Sequence, residues 1–293
     1  MLLVVNQFGL ALIISSLITL ILAYHAWRYK NNRSMLVLSL MLMGVCLWSF
    51  GYGLELFSTT LAQMKAANIF QYLGIATVPP LYLLFAANYS GSKRLANPWI
   101  KAVLFLFPLL AITAVATNDL HFLFYTAVDI AYVDGYYFQA TQPGPLWWAN
   151  IIYAYLMMLS GFYLFLRLLS KVSSQERLHV VIFLIASLIP FSGNVLYAAG
   201  FKPFGFIDLT PFAFLIAVII ITVGVFTKNL FEVTPVALKE LFDNSPNALF
   251  VFNTRGKLVS NNQAAQDIMS SNYLMPDRDS NVLDYSYFTR FID

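Results

Sequence analysis

Seven apolar runs, each near twenty residues long, occupy most of this chain, at about 8–27, 35–57, 66–90, 98–117, 146–169, 179–200 and 209–227. An α-helix needs roughly 20 apolar residues to cross a hydrocarbon layer about 30 Å thick. Lipid offers no partner to backbone N–H and C=O groups, so only helices and closed barrels span it. The runs lack the alternation of barrel strands, which leaves helices. Turn-forming residues fall between them, at Asn31-Asn32, Ser90-Gly91-Ser92, Asn97-Pro98, Pro143-Gly144-Pro145 and Lys202-Pro203. The expected fold is an all-α membrane protein, a seven-transmembrane helix bundle with a short α/β tail.

Composition excludes the alternatives. Of 293 residues, 59% are apolar and 11% charged, against roughly 45–50% and about 25% in soluble domains. A net charge of +3 is too small for an electrostatic nucleic-acid binder. The one cysteine, Cys46, lies in an apolar run, which excludes a disulfide framework and a multi-thiolate metal site. No Lys or Arg precedes the first run. Without a basic n-region, that run is expected to stay as a helix rather than be cleaved.

Charge density divides the chain. Residues 1–227 carry 11 basic and 6 acidic side chains, and residues 228–293 carry 6 and 8. The jump marks a change of solvent from lipid to water. Three parts are expected: a seven-helix domain 1–227, a connecting helix 228–243 and a cytoplasmic segment 244–293. Lys and Arg set the orientation. The odd-numbered connections hold nine (Arg28, Lys30, Arg33, Lys93, Arg94, Lys101, Arg167, Lys171, Arg177) and the even ones only Lys65 and Lys202. The N-terminus is therefore expected outside the cell membrane and the C-terminal segment in the cytoplasm.

Polar groups inside membrane helices are costly and are functional candidates by default. With this orientation most of them fall in the outer half of the bundle. Glu55 nears the outer end of the second helix, and Asn68, Gln71 and Tyr72 open the third. Trp147, Trp148, Asn150 and Tyr153 begin the fifth, while Ser192, Asn194 and Tyr197 end the sixth. Asn68 and Gln71 share a helix face, as do Asn194 and Tyr197. Such a set suits an outward pocket with aromatic walls and polar anchors, or a set of interhelical hydrogen bonds. Asp208 belongs to the candidate pocket too, although Asp208-Leu209-Thr210-Pro211 also reads as a helix cap.

The fourth connection, 118–145, carries Asp119, His121, Asp129 and Asp134 among many aromatics. It reads either as an interfacial aromatic belt or as a lid over the pocket; its acidic and His residues match no metal-site spacing. Pro79-Pro80 and Pro190 are expected to kink the third and sixth helices and to serve as hinges. The last helix has no Lys for a retinal Schiff base, the three His are scattered, and no P-loop occurs. No cofactor is expected. A small-molecule transporter or permease is the alternative function, although no inverted repeat supports it.

Beyond the seventh run, Thr234-Pro235 opens a short amphipathic helix that Asn244-Ser245-Pro246 ends. Ala248–Phe252 reads as a strand, Asn253-Thr254-Arg255-Gly256 as a turn and Lys257–Ser260 as a second strand, before a helix from Asn261. This order, with Asn262 to Ala265 as Asn-x-Ala-Ala, resembles the start of a PAS sensor domain. The membrane part is similar to the N-terminal seven-transmembrane sensor region of bacterial histidine kinases, a region also found on diguanylate cyclases. The matching stretches are Gly53–Leu56, Phe70–Ala76 with Val78-Pro79-Pro80, Phe85–Gly91, Ile207–Pro211 and Val233–Val236.

The resemblance implies the input region of a two-component receptor in the plasma (inner) membrane. It would bind an unknown small-molecule or lipid ligand, act as a homodimer, and pass a helix movement to a cytoplasmic output domain. No His follows His179, so neither a phospho-accepting His box nor an ATP-binding region is present, and the chain by itself is expected not to be an enzyme. The usual Asp after the first PAS strand is Asn253, and 236–293 is short for an independent PAS fold.

Overall fold

The computed structural model describes residues 6–92, 95, 97–133, 135–172, 174–200, 207–228, 241–252 and 258–271. The chain divides into two units, Met1–Val233 and Thr234–Asp293. The first contains α1 (Gln7–Trp27), α2 (Arg33–Phe57), α3 (Leu61–Ile75), α4 (Val78–Tyr89), α5 (Pro98–Ala116) and α6 (Asn118–His121). A hairpin of β1 (Tyr125–Val133) and β2 (Tyr136–Pro143) follows, then α7 (Pro145–Leu169), α8 (Ser174–Ala198) and α9 (Thr210–Lys228).

Six stretches among the described residues are long and apolar enough to cross a membrane, with α3 and α4 counted together as Leu61–Tyr89. Within the described residues α9 adds the shorter apolar stretch Thr210–Gly224, so six of the seven expected spans reach full membrane length there. The polar punctuation between runs becomes helix caps. Asn32 accepts from the Ser34 N–H and Asn97 from the Trp99 N–H, each at 2.9 Å. Pro98 and Pro145 occupy first turns, where no intrahelical N–H is needed.

Burial is inverted relative to a soluble protein. Val103, Leu106 and Leu110 of α5 and Leu159, Tyr163 and Leu166 of α7 are exposed, while Ser15, Ser16, Thr19, Ser39 and Ser49 are buried. Helices meet through small residues, as expected where lipid removes the hydrophobic drive between helices. Gly9 of α1 lies against Gly53 of α2, and the Ser39 hydroxyl donates to the Ala23 carbonyl at 2.8 Å. Eleven of the twelve α4 residues are buried, which makes α4 the axis of the bundle.

Two elements depart from expectation. The third run is not one kinked helix. α3 ends at Ile75, α4 begins at Val78, and Pro79 and Pro80 sit in the first turn of α4. Prolines there replace N–H groups that would have had no helical partner, so they start a helix rather than bend one. Pro190 does lie inside α8.

The fourth connection forms α6 and a twisted β-ribbon, so the bundle domain is not purely α. Val133 pairs with Tyr136, and Gly135 between them takes φ +86°, the left-handed conformation that tight hairpin turns require. The root of the ribbon is locked to the bundle. Asn118 Oδ1 accepts from the Phe124 and Tyr125 N–H groups, and its amide donates to the Tyr125 carbonyl. Phe124, Tyr125 and Phe138 are buried against helices, and so do not belong to an interfacial belt. Tyr132, nearer the tip, is exposed.

In the second unit, β3 (Phe250–Phe252) and β4 (Leu258–Asn261) pair antiparallel and α10 (Gln263–Ser271) follows. Asn262, with no exposed surface, binds this unit together. Its Oδ1 accepts from the Leu249 and Ala265 N–H groups, capping α10, and its amide donates to the Ser245 and Asn247 carbonyls. Most of the expected connecting helix and the turn at 253–256 lie outside the described residues.

Candidate functional site

The end of the bundle that carries the hairpin encloses a cavity of about 250 Å³. α2 contributes Trp48, Tyr52 and Glu55, which are four and three apart and so lie on one face. α3 contributes Asn68, Gln71, Tyr72 and Ile75; α7 contributes Trp147, Trp148, Asn150 and Ile151; α8 contributes Asn194 and Tyr197. Asp208 closes the side before α9, and Tyr125, Gln139, Thr141 and Pro143 of the hairpin form the roof.

Hydrogen bonds tie these walls to one another. The Gln71 amide donates to the Glu55 carboxyl at 2.5 Å, joining α3 to α2, and both side chains are buried. Asn68 stands beside Glu55 and Tyr125. The Tyr125 hydroxyl donates to that of Tyr72 at 3.0 Å, joining the hairpin to α3. Burial pushes the Tyr125 phenol above its ordinary value. The Tyr52 hydroxyl accepts from the Asp208 N–H at 2.8 Å, and Asp208 Oδ1 accepts from the Thr210 N–H at 2.8 Å. Asp208 thus caps α9 while lining the cavity, so both readings of that residue hold geometrically. The Asn194 amide reaches the Thr210 hydroxyl at 3.5 Å.

Nine of the ten pocket candidates meet in this one cavity: Glu55, Asn68, Gln71, Tyr72, Trp148, Asn150, Asn194, Tyr197 and Asp208. Tyr153 does not. Its ring stacks on Phe107 and its hydroxyl donates to the Leu104 carbonyl at 2.5 Å, so it faces α5. Three residues at about 100° each turn Tyr153 roughly 60° around α7 from Asn150, and on that side the neighbour is α5 rather than the cavity.

The residues that sequence reasoning passed over were Trp48, Tyr52, Gln139 and Thr141. The i, i+3, i+4 spacing from Glu55 was the available signal for the first two. The Asp134-Gly135 turn flanked by aromatic and β-branched residues was the signal for the hairpin pair.

A second cavity of about 110 Å³ lies deeper, among Leu42, Val45, Tyr82, Tyr155, Phe183, Pro190 and Val218. Trp48, Ile75, Asn150, Ile151 and Asn194 line both. Pro79 borders this deeper space as well. Among the described residues, no group of three or more His, Cys, Asp or Glu is placed to hold a metal ion.

The family model for the N-terminal 7TM region of histidine kinase matches residues 11–235. The chain belongs to that family. No curated protein and no solved structure matches it. All residues lining both cavities fall inside the matched range. Membership makes this a membrane sensor input region of the histidine-kinase type, a kind of domain that is not itself catalytic.

Proposed function

We propose that the hairpin-end cavity is the stimulus site of this sensor region, and that its occupant couples an extracytoplasmic or membrane signal to a cytoplasmic output domain. The observation that carries this reading is convergence: polar side chains from α2, α3, α7 and α8, with the hairpin above them, face one aromatic-walled space. Such a space is the usual make-up of a small-ligand site. A small molecule or lipid bridging four helix ends favours one helix arrangement over another, and the population shifts by the difference in its affinity for the two. The break at 76–77 and Pro190 supply hinges for that shift.

The excess of Lys and Arg in the odd-numbered connections supports a cavity facing outward across the plasma (inner) membrane, with the second unit in the cytoplasm. The strand–strand–helix order and the Asn262 cap of that unit support its reading as the start of a PAS domain. Homodimerisation follows from the family resemblance. No observation favours a transporter.

The test uses the intact receptor with its output followed by a reporter, at matched membrane levels. Glu55→Ala, Gln71→Ala and Asn194→Ala are expected to shift or abolish the response. Tyr153→Phe, whose hydroxyl faces α5, is expected to leave it unchanged. Wild-type responses from all three cavity variants would rule the stimulus site out.

A further inference from the structure

The deeper cavity differs in kind from the one above it. Its volume is about 110 Å³, and α2, α3, α4, α7, α8 and α9 all contribute to its walls. Along α8 the lining runs from Phe183 to Asn194, and along α9 from Thr210 to Ile221. Each stretch rises roughly 16 Å at about 1.5 Å per residue, so the space is long and narrow. That shape suits an extended chain rather than a ring or a branched body. Apolar cavities of this order, up to about 150 Å³, stay dry and take apolar molecules.

None of the described residues lining this cavity is charged, and an ionised group without a partner is costly in such surroundings. Four of its polar side chains are engaged within the protein. The Tyr82 and Ser187 hydroxyls bond to each other at 2.9 Å, and the Asn194 amide reaches the Thr210 hydroxyl. Tyr155 stands apart. It lines the same cavity, and its hydroxyl is buried without a hydrogen-bond partner among the described residues. Buried polar groups in native proteins are almost always paired, and a lone water would itself need about two to four polar neighbours. The Tyr155 ring packs edge-on against Phe191, with centroids 5.3 Å apart. Phe191 is three residues from Asn194 and eight from Phe183, which puts this phenol toward the hairpin end of the cavity.

We infer that the deeper cavity binds an uncharged, unbranched alkyl chain of medium length that carries one hydrogen-bonding oxygen, a hydroxyl or carbonyl. That oxygen pairs with Tyr155, and the chain runs toward Phe183 and Ile221. The walls include Val78 and Pro79 at the α3–α4 break and Pro190 within α8, so an occupant bears on both proposed hinges. The inference stands on this cavity alone and holds whether or not the cavity above is the stimulus site. A free medium-chain alcohol and the ester-linked chain of a bilayer lipid offer the same chemistry.

The experiment is photolabelling of the full chain in dioleoyl-phosphatidylcholine nanodiscs, with adducts located by peptide mass spectrometry. The probes are 3-azioctanol and 7-azioctanol, which carry a diazirine near the hydroxyl and near the tail respectively. The first is expected to mark Tyr155, Phe191 or Asn194, and the second Phe183, Val218 or Ile221. Labelling is expected to saturate, to be displaced by 1-octanol, and to resist a tenfold excess of octyltrimethylammonium or octanesulfonate. Tyr155→Phe, which removes only the oxygen, is expected to weaken displacement by octanol about three- to tenfold, the worth of one ordinary hydrogen bond. Ala217→Leu, which fills part of the space, is expected to abolish labelling there. The wild-type displacement series depends on no variant folding.

Labelling that does not saturate, or that falls equally on the exposed faces of α5 and α7, overturns the inference. Displacement by the charged compounds as readily as by octanol overturns it too, as does unchanged octanol affinity in Tyr155→Phe. Repeating the labelling in diphytanoyl-phosphatidylcholine discs, whose branched chains do not suit the narrow space, separates the two sources. Stronger labelling there assigns the natural occupant to a lipid chain, and equal labelling assigns it to a free alcohol; either supports the site. Loss of this site leaves the receptor-output test untouched, since Glu55 and Gln71 line only the upper cavity.

Discussion

Gly74→Ala tests whether the α2–α3 contact sets the cavity wall. A Cβ added at Gly74 would lie 2.1 Å from the Gly44 carbonyl oxygen, 2.9 Å from the Trp48 nitrogen and 3.0 Å from the Trp48 Cβ. None of these atoms is the free end of a flexible side chain, so the helices themselves must separate. Restoring ordinary contact requires about 1 Å of movement, enough to forfeit a quarter to a half of the dispersion attraction along that seam. Overpacking of this kind costs typically about 1–3 kcal/mol, and alanine recovers roughly 1 kcal/mol of helix propensity.

Because the closest clash is with backbone, the upper part of that range applies, and the net expectation for Gly74→Ala is a loss of about 1–2 kcal/mol. The Gln71–Glu55 hydrogen bond spans the same two helices, and the same movement stretches and weakens it. Gly193→Ala is the control. There the nearest atom to an added Cβ is Ala213 Cβ at 3.5 Å, an ordinary contact, so the variant should be neutral or up to ~1 kcal/mol more stable. Equilibrium unfolding in mixed detergent micelles, followed by tryptophan fluorescence, measures both. If Gly74→Ala unfolds with wild-type stability, or the two variants shift alike, the close-approach argument is refuted.

Two further outcomes are expected. The unfolded chain ionises a tyrosine near pH 10, whereas buried Tyr125 holds its proton to higher pH. The folded state then binds more protons above pH 10, and stability falls as pH rises. Tyr125→Phe should therefore lose less stability than wild type between pH 9 and about 11, read by thermal unfolding; identical pH slopes would count against the buried phenol. Asn262→Ala removes two acceptor and two donor contacts at a fully buried position and should cost the second unit about 2–4 kcal/mol. Hydrogen exchange should rise sharply over residues 245–271 while the bundle stays protected, and uniform protection would contradict the role given to this side chain.

Hydropathy made most of the bundle legible, because crossing lipid imposes one length and one polarity on every span. Asn32, Asn97 and Pro145 were readable as helix starts for a similarly local reason: each satisfies or removes N–H groups of its own first turn. The position of polar residues along each run also put Glu55, Gln71, Asn150 and Asn194 toward one end of the bundle before any packing was known. Level along a helix is a one-dimensional property, and a sequence carries it.

Direction around the helix axis and contact between helices are not. Asn150 and Tyr153 are three residues apart, yet the first faces the cavity and the second faces Phe107, because α7 has neighbours on both sides. The same local pattern, two prolines within an apolar run, fits either a kink or a helix start. The choice fell to the packing around α4, whose enclosure by its neighbours fixes where a new helix begins. The roof over the cavity was likewise a tertiary decision, since Gln139 and Thr141 acquire a role only when the Asn118 bonds hold the root of the hairpin over the helix ends. Sequence determined where the apolar helices run and where along each one the polar groups sit. Only packing decided which of those groups share a cavity, because that depends on distances between segments far apart in the chain.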